Sequence, residues 1–184
     1  MTVVQFVLMI CGGMPLFDAI TIAIGTAGTG GFAVTNAGLG GYSYYIQTVV
    51  AVFMVLFGVN FNVYYLFLIK KPKQALKSEE VRWYFIIIIT AVILITWNTR
   101  GMYSSLYDSA HHAFFQVATL ISSTGFATTD FNLWPTLSKT ILLLIMFCGA
   151  CAGSTGGGIK VSRIMILLKS IVQSSWSGVN IVSL

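Results

Sequence analysis

Two short glycine-bearing segments hold the residues best suited to chemistry. Thr29-Gly30-Gly31-Phe32-Ala33-Val34-Thr35-Asn36 and Ser123-Thr124-Gly125-Phe126-Ala127-Thr128-Thr129-Asp130 align without a gap at an offset of 94 positions. A dehydrated cation needs replacement oxygens, and consecutive backbone carbonyls supply them without a full charge that would trap it. Aiming successive carbonyls at one axis needs conformations that glycine reaches freely, and Ser or Thr hydroxyls add oxygens. Gly28, Thr29, Gly30 and Gly31, with Ser122, Ser123, Thr124 and Gly125, meet that requirement as candidate ion-binding positions of a selectivity filter. The alternative is that these glycines only permit close helix packing. The repetition favours the filter.

A third cluster differs. Gly149-Ala150-Cys151-Ala152-Gly153-Ser154-Thr155-Gly156-Gly157-Gly158 interrupts an apolar helix instead of following a short one. A helix broken at membrane depth is tolerated where it lines a watery path. Gly149, Gly153, Ser154, Thr155, Gly156, Gly157 and Gly158 are therefore candidates for a movable gate loop beneath the filter; a plain kink is the alternative. A phosphate loop needs Gly-Lys-Ser/Thr, and here Ile159 separates Gly158 from Lys160 with no strand before them. Nucleotide binding is excluded at this site. Cys148 and Cys151 have redox or metal spacing, but no further Cys or His lies near in sequence, so with Cys11 they read as buried, reduced thiols. His111 and His112 read as interfacial polar residues rather than a pH sensor or metal site. No acid–base or nucleophile constellation exists, so no enzyme and no cofactor are expected.

The elements that must position these residues are membrane helices. Of 184 residues, 57% are hydrophobic and 8% charged, and the mean hydropathy is +0.87; a soluble domain carries about 25% charged residues. The net charge of +5 comes from basic residues at helix ends, which anchors helices in lipid and gives no stripe for nucleic acid. The fold class is an all-α membrane protein of repeated helix–pore loop–helix units, arranged as parallel repeats with a glycine-rich break in the last spanning helix. Residues 1–11 are too few to span. Pro15 opens a short segment over 15–26 that suits a re-entrant helix, and the loop 27–41 follows. The apolar run 44–69 predicts one tilted span of about 39 Å. Residues 83–97, bounded by Trp83 and Trp97, predict a second. A second re-entrant helix covers 109–121, and a helix from 136 resumes after 149–158 to about 173. These give a repeat over 1–70, a cytoplasmic linker over 71–82, a second repeat over 83–173 and an irregular tail over 174–184.

Two crossings separate the two loops, so both enter from one face; inverted repeats suit many secondary transporters instead. Lys70, Lys71, Lys73, Lys77, Arg82, Lys160, Arg163 and Lys169 then share one side, leaving Arg100 and Lys139 opposite. The positive-inside rule makes the first side cytoplasmic. Asp18, Asp108 and Asp130 fall on the outer side, either concentrating cations or serving as ordinary capping acids. The short helices would point their partly negative carbonyl ends at the pore.

These residues resemble the Trk/Ktr/HKT superfamily of potassium transporters, in its bacterial Trk branch. The likeness rests on Phe17-Asp18-Ala19-Ile20, Thr29-Gly30-Gly31-Phe32, Ala113-Phe114-Phe115-Gln116-Val117, Thr124-Gly125-Phe126-Ala127-Thr128 and, most specifically, the run from Cys151 to Val161. The resemblance implies four such repeats around one pore, with one filter glycine in each; Gly31 and Gly125 hold that register. It implies that K+ is the transported ion, held at the filter residues only, and that 149–158 is the gate loop of the third repeat. It also implies a homodimer in the bacterial cytoplasmic membrane, in contact with lipid and with a cytoplasmic nucleotide-binding, TrkA-like regulatory subunit. Only the second and third repeats are represented, so the chain reads as a fragment. A non-conducting scaffold and a sodium-permeable relative are the alternatives; serine at a filter glycine marks some sodium-passing members, and Gly31 and Gly125 favour potassium.

Overall fold

The computed structural model describes residues 1–35, 37–70 and 78–181, with side chains undescribed at 172 and 174–181. Among the described residues the chain is almost wholly helical, with no strand. Helix α1 covers Thr2–Cys11 and α2 covers Leu16–Ala27, opened by Pro15 and closed at Gly28. Helix α3 covers Tyr44–Phe57 behind a Ser43 cap, and α4 covers Phe61–Leu68 behind an Asn60 cap. Helix α5, Glu79–Thr99, carries two acids in its first turn, where the positive end of the helix favours them. Helix α6 is Leu106–Ile121, capped by the Ser105 hydroxyl. Helix α7 is Thr136–Cys148 and α8 is Val161–Ile181.

The packing repeats. Short α2 is cradled by α1 and α3, as α6 is by α5 and α7, and α3 against α6 joins the two groups. Ile22 and Ala23 of α2, and Ala113, Phe115, Val117, Ala118 and Ile121 of α6, lie in one core. Each fully buried large apolar side chain contributes about 1.5–3 kcal/mol. Helix α5 buries Tyr84, Ile88, Ala91 and Ile95 along one stripe, while Ile86, Ile89, Ile93 and Trp97 on its other faces are exposed. A helix apolar all round belongs where its surroundings are apolar. By length and composition α5 is long enough to cross a membrane, and α3 with α4 passes the same test jointly despite a 90° bend.

That bend corrects the single straight span expected over 44–69. The run is apolar throughout, but Asn60 caps a new helix by accepting the Asn62 N–H at 2.9 Å. Gly58 is required there, because a Cβ on it would lie 2.2 Å from the Tyr84 hydroxyl. That hydroxyl donates to the Val55 carbonyl, which also accepts the Gly58 N–H at 3.1 Å where α3 ends. Helix α5 begins at Glu79, so the end of the expected linker is helical; residues 71–77 lie outside the described part. The last helix runs to Ile181, so the tail expected to be irregular is helical over 174–181. Cys11 is exposed and Cys148 half-buried, while Cys151 is buried as expected; all three are free thiols.

Candidate ion-binding loops

The two aligned segments adopt one conformation. After α2, the N–H groups of Gly28, Thr29 and Gly30 donate to the carbonyls of Ile24, Thr26 and Gly25 at 2.9, 3.3 and 2.8 Å. After α6, Ser122, Ser123 and Thr124 donate to Ala118, Leu120 and Thr119 at 3.2, 3.1 and 2.9 Å. Every partner in the second set is the first shifted by the same offset. The backbone turns left-handed at the same places: φ is +50° at Thr29 and +59° at Ser123, +72° at Gly31 and +91° at Gly125. Left-handed Thr and Ser cost energy that only the surrounding fold can offset.

The loops touch. A Cβ on Gly31 would lie 2.1 Å from the Thr124 carbonyl oxygen and 3.3 Å from the Gly125 Cα. The chain then runs on together: the Leu39 N–H donates to the Ala127 carbonyl at 2.9 Å, and Gly40 lies against the Thr128 carbonyl. An open cavity of about 550 Å³ begins at Gly31 and Gly125 and is walled by Phe32, Ala33, Thr35, Ala37 and Gly38 on one side and residues 126–131 on the other. Of the three acids expected on this side, Asp130 alone lines it, and its carboxylate also accepts from Asn132 N–H groups at 2.9 and 2.8 Å. Asp18 instead accepts the Tyr42 hydroxyl at 2.6 Å, and Asp108 accepts those of Ser104 and Tyr44 at 3.1 and 3.2 Å.

The loops differ in how they are pinned. In the second, the Thr119 hydroxyl accepts the Gly125 N–H at 3.0 Å, and Ser122 and Thr124 hydroxyls lie 2.7 Å apart. The first has Gly25, Gly28 and Gly30 at those positions. The space left by Gly25 takes the Phe126 ring, whose Cζ would be 3.3 Å from a Cβ there. Phe126 is 2% exposed, whereas its counterpart Phe32 is 81% exposed.

Residues 149–160 are non-helical and lie against both loops. The Thr29 hydroxyl reaches the Thr155 carbonyl at 3.3 Å. A Cβ on Gly156 would be 2.9 Å from the Ser122 carbonyl, and one on Gly157 3.4 Å from the Ser123 hydroxyl. The segment closes on itself, with Ile159 donating to Phe147 and Val161 to Ala150, both at 3.2 Å. Gly149 and Gly158 are in tight apposition and both left-handed, at φ +68° and +85°. Gly153 faces Asn60 at the bend instead, its carbonyl accepting the Phe61 N–H at 3.0 Å. The Ser154 hydroxyl donates back to the Cys151 carbonyl at 2.6 Å. The Lys160 ammonium donates to the Gly156 carbonyl.

Several supporting residues were not evident from the sequence. Gln47 donates to the Leu39 and Tyr42 carbonyls at 3.1 and 2.9 Å and accepts from His111 Nε2 at 2.8 Å. His111 is thus a buried strut, not the interfacial group expected. Gln116 donates to the Thr129 carbonyl at 3.1 Å. Glu80 reaches across to the Ala152 N–H at 2.6 Å. Buried glutamines in an apolar helix are a legible signal, since unpaired amides are costly there; Glu80 gives none. Among the described residues no group of three His, Cys, Asp or Glu side chains is placed to hold a metal.

Residues 4–177 match the family model described as TrkH, cation transport protein. The Trk system potassium uptake protein TrkG of Escherichia coli is 39% identical over 163 residues, 85% of this chain and 33% of that protein. TrkH of Salmonella typhimurium is 36% identical over 162 residues, with 85% and 33% covered. A crystal structure of the potassium transporter TrkH from Vibrio parahaemolyticus superposes with a TM-score of 0.91 at 32% identity, over 97% of this chain and 39% of that one. The chain thus spans about a third of the length of the curated relatives it matches. Those relatives are transporters and not enzymes, as expected for this chain. With the family model covering nearly its whole length, the chain belongs to the TrkH family of cation transport proteins.

Proposed function

We propose that this chain conducts potassium across the bacterial cytoplasmic membrane as part of a Trk-type uptake subunit. Potassium would shed water in the outward cavity and bind the oxygens of 28–31 and 122–125. Passage would be gated by 149–158. The observation that carries this reading is the pair of loops with one left-handed backbone pattern, in contact at Gly31 and Thr124. A loop that served packing alone would have no reason to repeat its φ signs, hydrogen bonds and offset together. The segment 149–158 touches both loops, where a constriction would act.

In this reading the chain has two parallel pore-loop repeats, crosses the membrane several times and opens its loops outward, with Lys160, Arg163 and Lys169 facing the cytoplasm. It would dimerise and take a TrkA-like nucleotide-binding regulator on that side. Rubidium and sodium uptake into liposomes, compared between the natural chain and Gly125→Ser, tests the filter. Loss of rubidium preference supports it. Unchanged preference rejects the filter, and sodium uptake equal to rubidium in the natural chain favours the sodium-permeable alternative.

A further inference from the structure

We propose that Glu80 is the positioning residue of the 149–160 segment, holding it against the two loops and so setting its resting closure; the consequence for flux rests on the gate reading above. Helix α5 begins with two adjacent acids of different use. Glu79 pairs with Lys169 of α8 at 2.5 Å, with both side chains more than half exposed. Glu80 is half-buried and leaves its helix to accept the Ala152 N–H at 2.6 Å, a contact between residues 72 positions apart. A first-turn acid needs no such partner, because the helix end already favours it. The contact serves the loop.

The remaining tethers show what Glu80 adds. Cys151 donates to the Gly58 carbonyl at 3.0 Å, Phe61 donates to the Gly153 carbonyl at 3.0 Å, and Thr155 reaches the Phe57 carbonyl at 3.4 Å. These join the segment to the bend between α3 and α4, and none involves a charged group. The Thr29 hydroxyl meets the Thr155 carbonyl at 3.3 Å, again a neutral contact, and the Lys160 bond to the Gly156 carbonyl lies within the segment itself. Glu80 therefore supplies the ionic hold on the early half. Hydrogen bonds with an ionised partner are about twice as strong as neutral ones. For the segment to move from beneath Ser122 and Thr29, the Ala152 N–H must leave this carboxylate. Helix α5 is also the element that packs on α6, α7 and α8, so its first turn reports their arrangement to the segment.

The test uses the full chain in liposomes with Glu80→Ala, Glu80→Gln and Glu80→Asp. Hydrogen–deuterium exchange of peptides over 149–158 reads the hold directly, without any ion flux. Glu80→Ala should speed exchange there about tenfold while peptides over 122–125 stay protected. Glu80→Gln, which keeps a neutral acceptor, should give a smaller increase. Glu80→Asp, one methylene shorter, should resemble alanine. Unchanged exchange over 149–158 in Glu80→Ala overturns the proposal. A general rise across all peptides also overturns it, since the residue would then support the fold as a whole. Rubidium leak should rise in the same order. Faster exchange with unaltered leak would reject the gate reading and its link to Glu80 while leaving the hold demonstrated; absent flux in the natural chain would reject conduction while exchange still decides the hold.

Discussion

The hydroxyl of Thr119 accepts the backbone N–H of Gly125 at 3.0 Å, and the first loop has no equivalent because Gly25 occupies that place. Thr119→Val keeps the shape and removes the acceptor, leaving the Gly125 N–H a long 3.4 Å contact with the Thr119 carbonyl. A loss of about 1 kcal/mol is expected, with Thr119→Ser close to the natural protein. Thermal midpoints in detergent and the rubidium-to-sodium uptake ratio check this. Both should fall for valine and hold for serine.

Gly31 and Gly125 should respond differently to substitution. At Gly31 a methyl group meets the Thr124 carbonyl oxygen at 2.1 Å in a left-handed conformation, so the backbones must part. At Gly125 the nearest foreign atom is 4.0 Å away, and the penalty is the conformation alone, about 1–2 kcal/mol. Gly31→Ala should give poor yield of folded protein by gel filtration. Gly125→Ala should fold with a lowered midpoint and altered ion preference.

Gln47 satisfies three groups at once, so Gln47→Leu strands the Tyr42 carbonyl and the His111 Nε2–H and leaves the Leu39 carbonyl with the Tyr42 N–H alone, at 3.2 Å. Each stranded buried group costs about 1–3 kcal/mol. Thermal unfolding should show a large loss, greater than that of His111→Gln, which removes one partner and leaves the two carbonyls satisfied.

Burial pushes the Tyr42 phenol up to about 12, and the Asp18 carboxylate adds to the shift. A folded-state value above the ordinary one near 10 means the stabilisation is fully present below pH 10. It disappears as pH rises through about 12. Tyr42→Phe should lower the stability by about 0.5–1.5 kcal/mol near neutrality. The variant should also flatten the decline in stability between pH 10 and 12.

The loops were legible because their residues repeat: Thr29 with Gly31 and Ser123 with Gly125 carry the same left-handed requirement at one offset. Helix starts were legible where Pro15 and Pro135 mark them, whereas the helix expected from 109 begins at Leu106, behind the Ser105 cap. The bend after Phe57 was not, because hydropathy averages over Gly58 and Asn60, although Asn60 is a capping residue. Glu80 was hidden for another reason. Its sequence neighbourhood predicts a polar cytoplasmic linker, and only the folded chain brings Ala152 to it. The unequal pinning of the loops follows from Thr119 against Gly25, a difference that gains meaning only once the repeats are superposed.

Phe126 sits in the notch that Gly25 provides, while Phe32 stands free. The pair has a direction, as a hook and an eye do: the second loop offers its aromatic and the first receives it. Phe32 is the hook left open, and a surface that received it in the same way would present an eye, a backbone position with little or no side chain.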